Sequence, residues 1–231
     1  MQGFLEFEKK IGVEFKDKNL LKQAFTHRSY VNEYKEEKIE HNERLEFLGD
    51  AVLELVVTEY LFHKYPKRTE GDLTAFRASL VNTVTLSKTA SDLDMNDFLL
   101  LSKGEAKDNG KARQYILANT FEALVGSIYL DQGYDKVKEF LSKTIFPLID
   151  EIVSKKLWQD SKSYFQEQSQ EHTSITPSYQ VLKEEGPDHD RHFTVGVFLG
   201  EDMIAQGEGQ SKQEAEQNAA AKALHLKGWK K

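Results

Sequence analysis

Three carboxylates crowd one short stretch of this chain: Glu43, Glu46 and Asp50, inside the run His41-Asn42-Glu43-Arg44-Leu45-Glu46-Phe47-Leu48-Gly49-Asp50-Ala51-Val52-Leu53. On a helix these acids fall within about 60° of one another, and Glu54 extends the stripe by another turn. Leu45, Leu48, Val52, Leu55 and Val56 lie on the far side, so one face is expected to pack and the other to stay acidic. A solvated face is the ordinary reading of such a stripe. The sharper one is a cluster of hard oxygen donors for a cation. A second polar pair, Asn119 and Glu122, interrupts the long apolar run Ile116 to Leu130 at i and i+3. Polar side chains within a packed helix cost free energy unless partnered, so this pair asks for a ligand, and a metal is the obvious candidate. Glu70, in Thr69-Glu70-Gly71-Asp72, reads either as an acid favoured by a helix N-terminus or as a further member of the same site.

The elements that must carry these residues are mostly helical. Residues 4–36 read as two short helices broken near Gly12 to Asn19. The acidic helix is expected to start with Asn42 as its N-cap and to run to about Tyr65, where Pro66 stops it. Thr69 with Asp72 opens the next helix, through Phe76, Leu80 and Val81. Leu86 to Leu101 reads as helical with a break around Asp94 to Asp97, and Gly104 to Arg113 as a polar loop. Tyr134 to Ser154 closes an all-α domain, with Pro147 expected to kink or split its helix. After Lys155 the pattern changes to α-β-β-β-α: Ser161–Glu171, Ser178–Glu184, His192–Leu199, Met203–Gly207 and Ser211–Leu226. We divide the chain into 1–156, all-α, and 157–231, a small α+β module.

Composition narrows the function. Cysteine is absent from the 231 residues, which excludes a disulfide scaffold and thiolate chemistry and fits a reducing, cytoplasmic setting. No apolar run approaches the roughly 18 residues of a membrane helix, and Met1 to Val13 is too charged for a signal peptide. The seven histidines show no paired ligand spacing for zinc, and no glycine-rich phosphate loop precedes a helix, so a nucleotide cofactor is not expected. Net charge is −7. A polyanionic partner would therefore need local cations or bound metal to offset the acids.

The two halves together resemble bacterial ribonuclease III over nearly the whole chain. His41 to Asp50 looks like that family's signature helix, and Glu70-Gly71-Asp72-Leu73 and Ala118-Asn119-Thr120-Phe121-Glu122-Ala123 look like its second and third acidic motifs. The C-terminal module is similar to a double-stranded-RNA-binding domain through Gly186-Pro187-Asp188-His189 and Ser211-Lys212-Gln213-Glu214-Ala215-Glu216. The resemblance implies an all-α endonuclease domain followed by that binding domain. It implies an endoribonuclease cleaving double-stranded RNA to 5′-phosphate and 3′-hydroxyl ends, in rRNA and mRNA processing and turnover. Metal ligands carried over are Glu46, Asp50, Asn119 and Glu122. Asp50, Glu122, Glu43 and Glu70 would act in catalysis, with Mg²⁺ as cofactor and Mn²⁺ as a substitute. Ser163, Gln166, Gln170, His189 and Lys212 would contact duplex RNA. A homodimer is implied, with Phe47 plugging into the partner subunit.

Two departures stand out. Asn119 occupies a position where the family pattern has aspartate, which removes one negative charge beside the expected cation. The alternative function is therefore a double-stranded-RNA-binding regulator with an impaired nuclease site. From Trp158 onward there are 8 Lys and Arg against 12 Asp and Glu, and Gln213 stands where the family usually has a second basic residue. RNA affinity is expected to be weak for the family, with a shallow salt dependence.

Overall fold

Helix boundaries follow local chemistry closely in this computed structural model, which describes residues 2–37, 39–107, 110–155, 158, 160–186 and 191–229. The chain falls into two compact units, Met1–Trp158 and Gln159–Lys231. The first is built from α1 (Gln2–Ile11), α2 (Lys18–Ala24), α3 (Arg28–Glu33), α4 (Glu43–Lys64), α5 (Glu70–Leu80), α6 (Thr83–Asp92), α7 (Lys111–Gln132), α8 (Tyr134–Thr144) and α9 (Leu148–Ser154). Pro147 splits the last stretch into α8 and α9 as expected. Thr69 caps α5, its Oγ1 accepting from Asp72 N–H at 3.1 Å.

Several expectations need correction. The segment 4–36 holds three helices, because His27 starts α3 by accepting the Ser29 N–H on its own ring. Asn42 precedes α4 but does not cap it. Its side chain is buried and instead donates to Ala24 O at 3.1 Å, which ties the start of α4 to the end of α2. The helix expected up to Leu101 ends at Asp92, followed by a 3₁₀ turn at Met95–Phe98. Leu100 is extended and bridges to Thr26. Asp94 at φ 56° breaks the helix there. The polar loop is shorter than read, since α7 already begins at Lys111. Leu55 is 58% exposed and does not pack with Leu45, Val52 and Val56, which are buried.

The core of the first unit forms around α4 and α7, which pack along each other. Leu45, Leu53 and Val56 from α4 are buried in one cluster with Phe121, Leu124 and Ile128 from α7. Trp158 closes the unit edge-on to Phe76, with ring centroids 4.9 Å apart. The second unit has α10 (Ser161–Thr173), an antiparallel sheet of β1 (Ser178–Glu185), β2 (His192–Leu199) and β3 (Asp202–Gly209), and α11 (Lys212–Leu226). Small residues decide its packing. A Cβ on Gly207 would lie 2.2 Å from Ala219 N, so α11 rests directly on β3 through Ala215, Ala219 and Ala223. Among the described residues no helix is long and apolar enough to cross a membrane.

Candidate active site and nucleic-acid interface

The position of the acids is set by two glycines. A Cβ on Gly49 of α4 would lie 1.8 Å from the backbone oxygen of Glu122, and one on Gly126 of α7 would lie 2.3 Å from the backbone oxygen of Leu45. The helices therefore cross backbone to backbone, at a spacing that a methyl group would forbid. Glu46 and Asp50 flank Gly49 by three residues and one, and Glu122 and Asn119 sit one and two turns before Gly126. The crossing brings the two polar sets together.

Electrostatics shows their proximity. The Glu122 carboxyl is pushed up to about 7 by burial first, then by the negative charges of Asp50 and Glu46. Glu46 is raised by burial and by Glu43 and Asp50, while a hydrogen bond from Asn119 partly offsets the rise. Asn119 is thus already a partner of the acidic stripe. Both it and Glu122 are half-buried, less enclosed than a helix so apolar suggests. Among the described residues no three His, Cys, Asp or Glu side chains stand close enough to hold a metal by themselves.

Glu43, Glu46 and Asn119 line a cleft of about 510 Å³. His27, Arg28 and Glu105 share that lining, as does Tyr115, 59% exposed. The His27 ring is held by Ser29, with Nδ1 2.8 Å from Ser29 Oγ, and burial pulls its pKa below the usual histidine value. Asp50 and Glu122 do not line the cleft; they join it through their fields on Glu46 and on each other. Glu70 lies at the N-terminus of α5, accepting from Thr74 Oγ1 at 3.1 Å. Glu43, Asp50 and Asn119 thus act on Glu46, and Asp50 and Glu46 act on Glu122, whereas Glu70 is neither among these influences nor among the lining residues of the cleft.

Sequence reasoning missed Arg28, Glu105 and Tyr115 as cleft residues, and missed the two glycines as spacers. A glycine in each of two apolar helices was the available signal, because glycine in a helix interior costs stability unless close approach requires it. Phe47 is 82% exposed on α4.

In the second unit, Ser163, Gln166 and Gln170 line one shallow depression on α10, together with Glu167 and Glu171. Lys212 opens α11 and places its ammonium 5.6 Å from the centre of the Phe193 ring. His189 lies outside the described residues.

Comparison with known proteins accords with both units. The Ribonuclease-III-like family matches residues 17–149, and the double-stranded RNA binding motif matches residues 161–227. Ribonuclease 3 of a Bacillus cereus strain is 48% identical over 223 residues, covering 96% of this chain and 91% of that protein. Ribonuclease 3 of a Nitratiruptor species is 45% identical over 226 residues, 98% of this chain and 97% of that one. A solved nuclease domain of ribonuclease III from Campylobacter jejuni, described for flexibility in a region involved in dimer formation, is 46% identical. It matches with a TM-score of 0.56, over 61% of this chain and 96% of its own. With an acid-lined cleft in its helical unit and a double-stranded RNA binding motif following in the sequence, this chain belongs to the ribonuclease III family.

Proposed function

We propose that this endoribonuclease cuts double-stranded RNA with a divalent cation, Mg²⁺ or in its place Mn²⁺, held by Glu46, Asp50, Asn119 and Glu122. The chemistry of the donors suits such an ion: they offer only hard oxygens, from carboxylates and an amide, and Mg²⁺ keeps several waters and needs few protein ligands, so it does not require three acids already in contact. When bound, the cation supplies hydroxide at neutral pH and offsets charge on the phosphate and leaving oxygen, giving 5′-phosphate and 3′-hydroxyl ends.

The chain's own residues do the rest. Glu46 and Asp50 present their carboxylates from successive turns of α4, and Glu43 adds a third negative charge beside Glu46. Glu122 carries a carboxyl at about 7, so without metal it is about half protonated at neutral pH and gives up its proton as positive charge arrives. Asn119 gives its N–H to Glu46 and retains an amide oxygen for the cation. Glu70 is assigned a supporting role by the family pattern alone.

The RNA partner is bound by Ser163, Gln166, Gln170, His189 and Lys212, which suit shape recognition across minor grooves and intervening phosphates. A homodimer is supported by the apolar residues Phe47, Leu55 and Phe62, which are 82%, 58% and 65% exposed on one side of α4. The dimer context of the Campylobacter relative agrees with it. A cytoplasmic role in rRNA and mRNA processing follows from the same reading.

The observation that supports the proposal is the backbone-to-backbone crossing of α4 and α7, across which Asn119 donates to Glu46 and the charges of Asp50 and Glu46 act on Glu122. The test compares cleavage of an end-labelled RNA duplex by this protein and by Asn119→Asp across a series of Mg²⁺ and Mn²⁺ concentrations. Both should cut, the Asp variant at lower metal. Duplex binding with no metal-dependent cutting by the unaltered chain would instead make it an RNA-binding regulator.

A further inference from the structure

The cleft must admit a polyanion, yet three of the charged residues that line it are acids: Glu43, Glu46 and Glu105. Arg28 is the one permanent cation among its described lining residues. Its guanidinium stands 3.7 Å from the Glu43 carboxylate, with the Arg28 side chain 69% exposed and that of Glu43 50% exposed. An exposed ion pair of this length holds its partners weakly. At that distance the pair makes no hydrogen bond, whereas a guanidinium can hold a phosphate through two parallel charge-assisted hydrogen bonds. Exchange of Glu43 for an RNA phosphate therefore costs little.

The backbone beneath Arg28 is fixed on two sides. Asn42 N–H donates to Thr26 O at 2.9 Å, and Asn42 Nδ2 donates to Ala24 O at 3.1 Å. His27 N–H donates to Leu100 O at 3.0 Å, and Ser102 N–H donates to Ser29 Oγ at 3.1 Å. These bonds join the residues on either side of Arg28 to the start of α4, one residue before Glu43, and to the extended segment around Leu100. A cation mounted this way is placed relative to the acids before substrate arrives, which spares ordering cost on binding.

We propose that Arg28 is a substrate-positioning residue: it leaves Glu43 and clamps a backbone phosphate of the RNA strand entering the cleft. This rests on the nuclease reading above. Because the contact is to backbone, it acts equally on duplexes of any sequence.

The test uses the full chain and end-labelled duplexes of two sequences, in single-turnover cleavage with Mg²⁺ over a range of protein concentrations. Arg28→Gln should raise the half-saturating protein concentration about tenfold on both duplexes, leave the maximal rate within about threefold, and flatten the log–log salt dependence by about one. Arg28→Lys should recover part of the loss and the full slope. Melting curves of both variants establish that they fold. A role confined to holding Glu43 predicts a different result: Glu43→Gln would then abolish the effect of Arg28→Gln, whereas a phosphate clamp keeps it in that background. Cutting by the unaltered chain with no change of half-saturation or slope in Arg28→Gln overturns the inference alone. Absence of cutting by the unaltered chain at any metal concentration overturns the nuclease reading beneath it.

Discussion

Gly49 and Gly126 meet where α4 crosses α7: a Cβ built on Gly126 would lie 3.0 Å from Gly49 N and 3.2 Å from Gly49 Cα. Everything proposed for the site depends on this approach. Glu46 and Asp50 reach Asn119 and Glu122 only because neither helix carries a side chain at the crossing.

Gly49→Ala and Gly126→Ala should each destabilise the protein by about 1–3 kcal/mol, the usual range for inserting a methyl group into closed packing. The obstructing atoms are backbone, which cannot swing aside, so the upper end of that range is expected. Gly71→Ala is the contrasting case. It lies within α5 with only Thr69 Oγ1 near, at 3.9 Å, so a gain of about 0.5–1 kcal/mol is expected from helix propensity. Urea denaturation of the three variants checks this, and a neutral Gly49→Ala would refute the tight crossing.

Asn119→Asp should show opposite effects with and without metal. In chelator it replaces a hydrogen bond to Glu46 with a like charge, so the melting temperature should fall below that of the unaltered chain. In excess Mg²⁺ the added charge strengthens the site. Its gross Coulomb gain is about 4 kcal/mol at roughly 4 Å and an effective dielectric near 20, less after relaxation. Thermal shift against metal concentration should therefore rise more steeply for the variant; parallel curves would exclude Asn119 from the metal site.

Stability without metal should fall as pH rises from about 4.5 to about 7. The folded Glu122 carboxyl titrates at about 7 rather than its ordinary 4.5, so between those values the native state binds more protons than the unfolded one. The penalty is absent below the lower value and complete above the upper. Denaturation midpoints in chelator should show this slope, and Glu122→Gln should flatten it. Excess Mg²⁺ should weaken or reverse it, since a cation favours the ionised form. An unchanged slope in Glu122→Gln would assign the dependence to another group.

If the chain pairs through α4 as proposed, Phe47→Arg should separate the subunits while leaving the monomer folded. Phe47 is 82% exposed, and surface substitutions of this kind usually change stability by no more than about 0.5 kcal/mol. Sedimentation velocity at micromolar protein should show a shift from dimer to monomer. A variant that still sediments as a dimer would remove α4 from the interface.

Much of this molecule was legible in its sequence, because the information is local. An apolar face behind an acidic stripe marks α4, a long apolar run marks α7, Thr69 with Asp72 marks the start of α5, and Pro147 marks the break between α8 and α9. The alternation after Ser178 marks the sheet, and the short motifs around Glu46, Glu122 and Ser211 carry the family resemblance. Where a residue serves a distant neighbour, local reasoning fails. Asn42 has the chemistry of a cap and is spent on Ala24, eighteen residues away. Leu55 repeats the apolar period of the buried face yet faces outward. Arg28 sits in an unremarkable polar run and becomes a cleft residue only when Thr26 and His27 bond to Asn42 and Leu100. The types of side chain able to do the chemistry, and the helices that carry them, are properties of the sequence by itself. Which of them meet was decided by tertiary structure, since two helices far apart in the chain find their register through backbone contact at Gly49 and Gly126. No local preference encodes a contact of that kind.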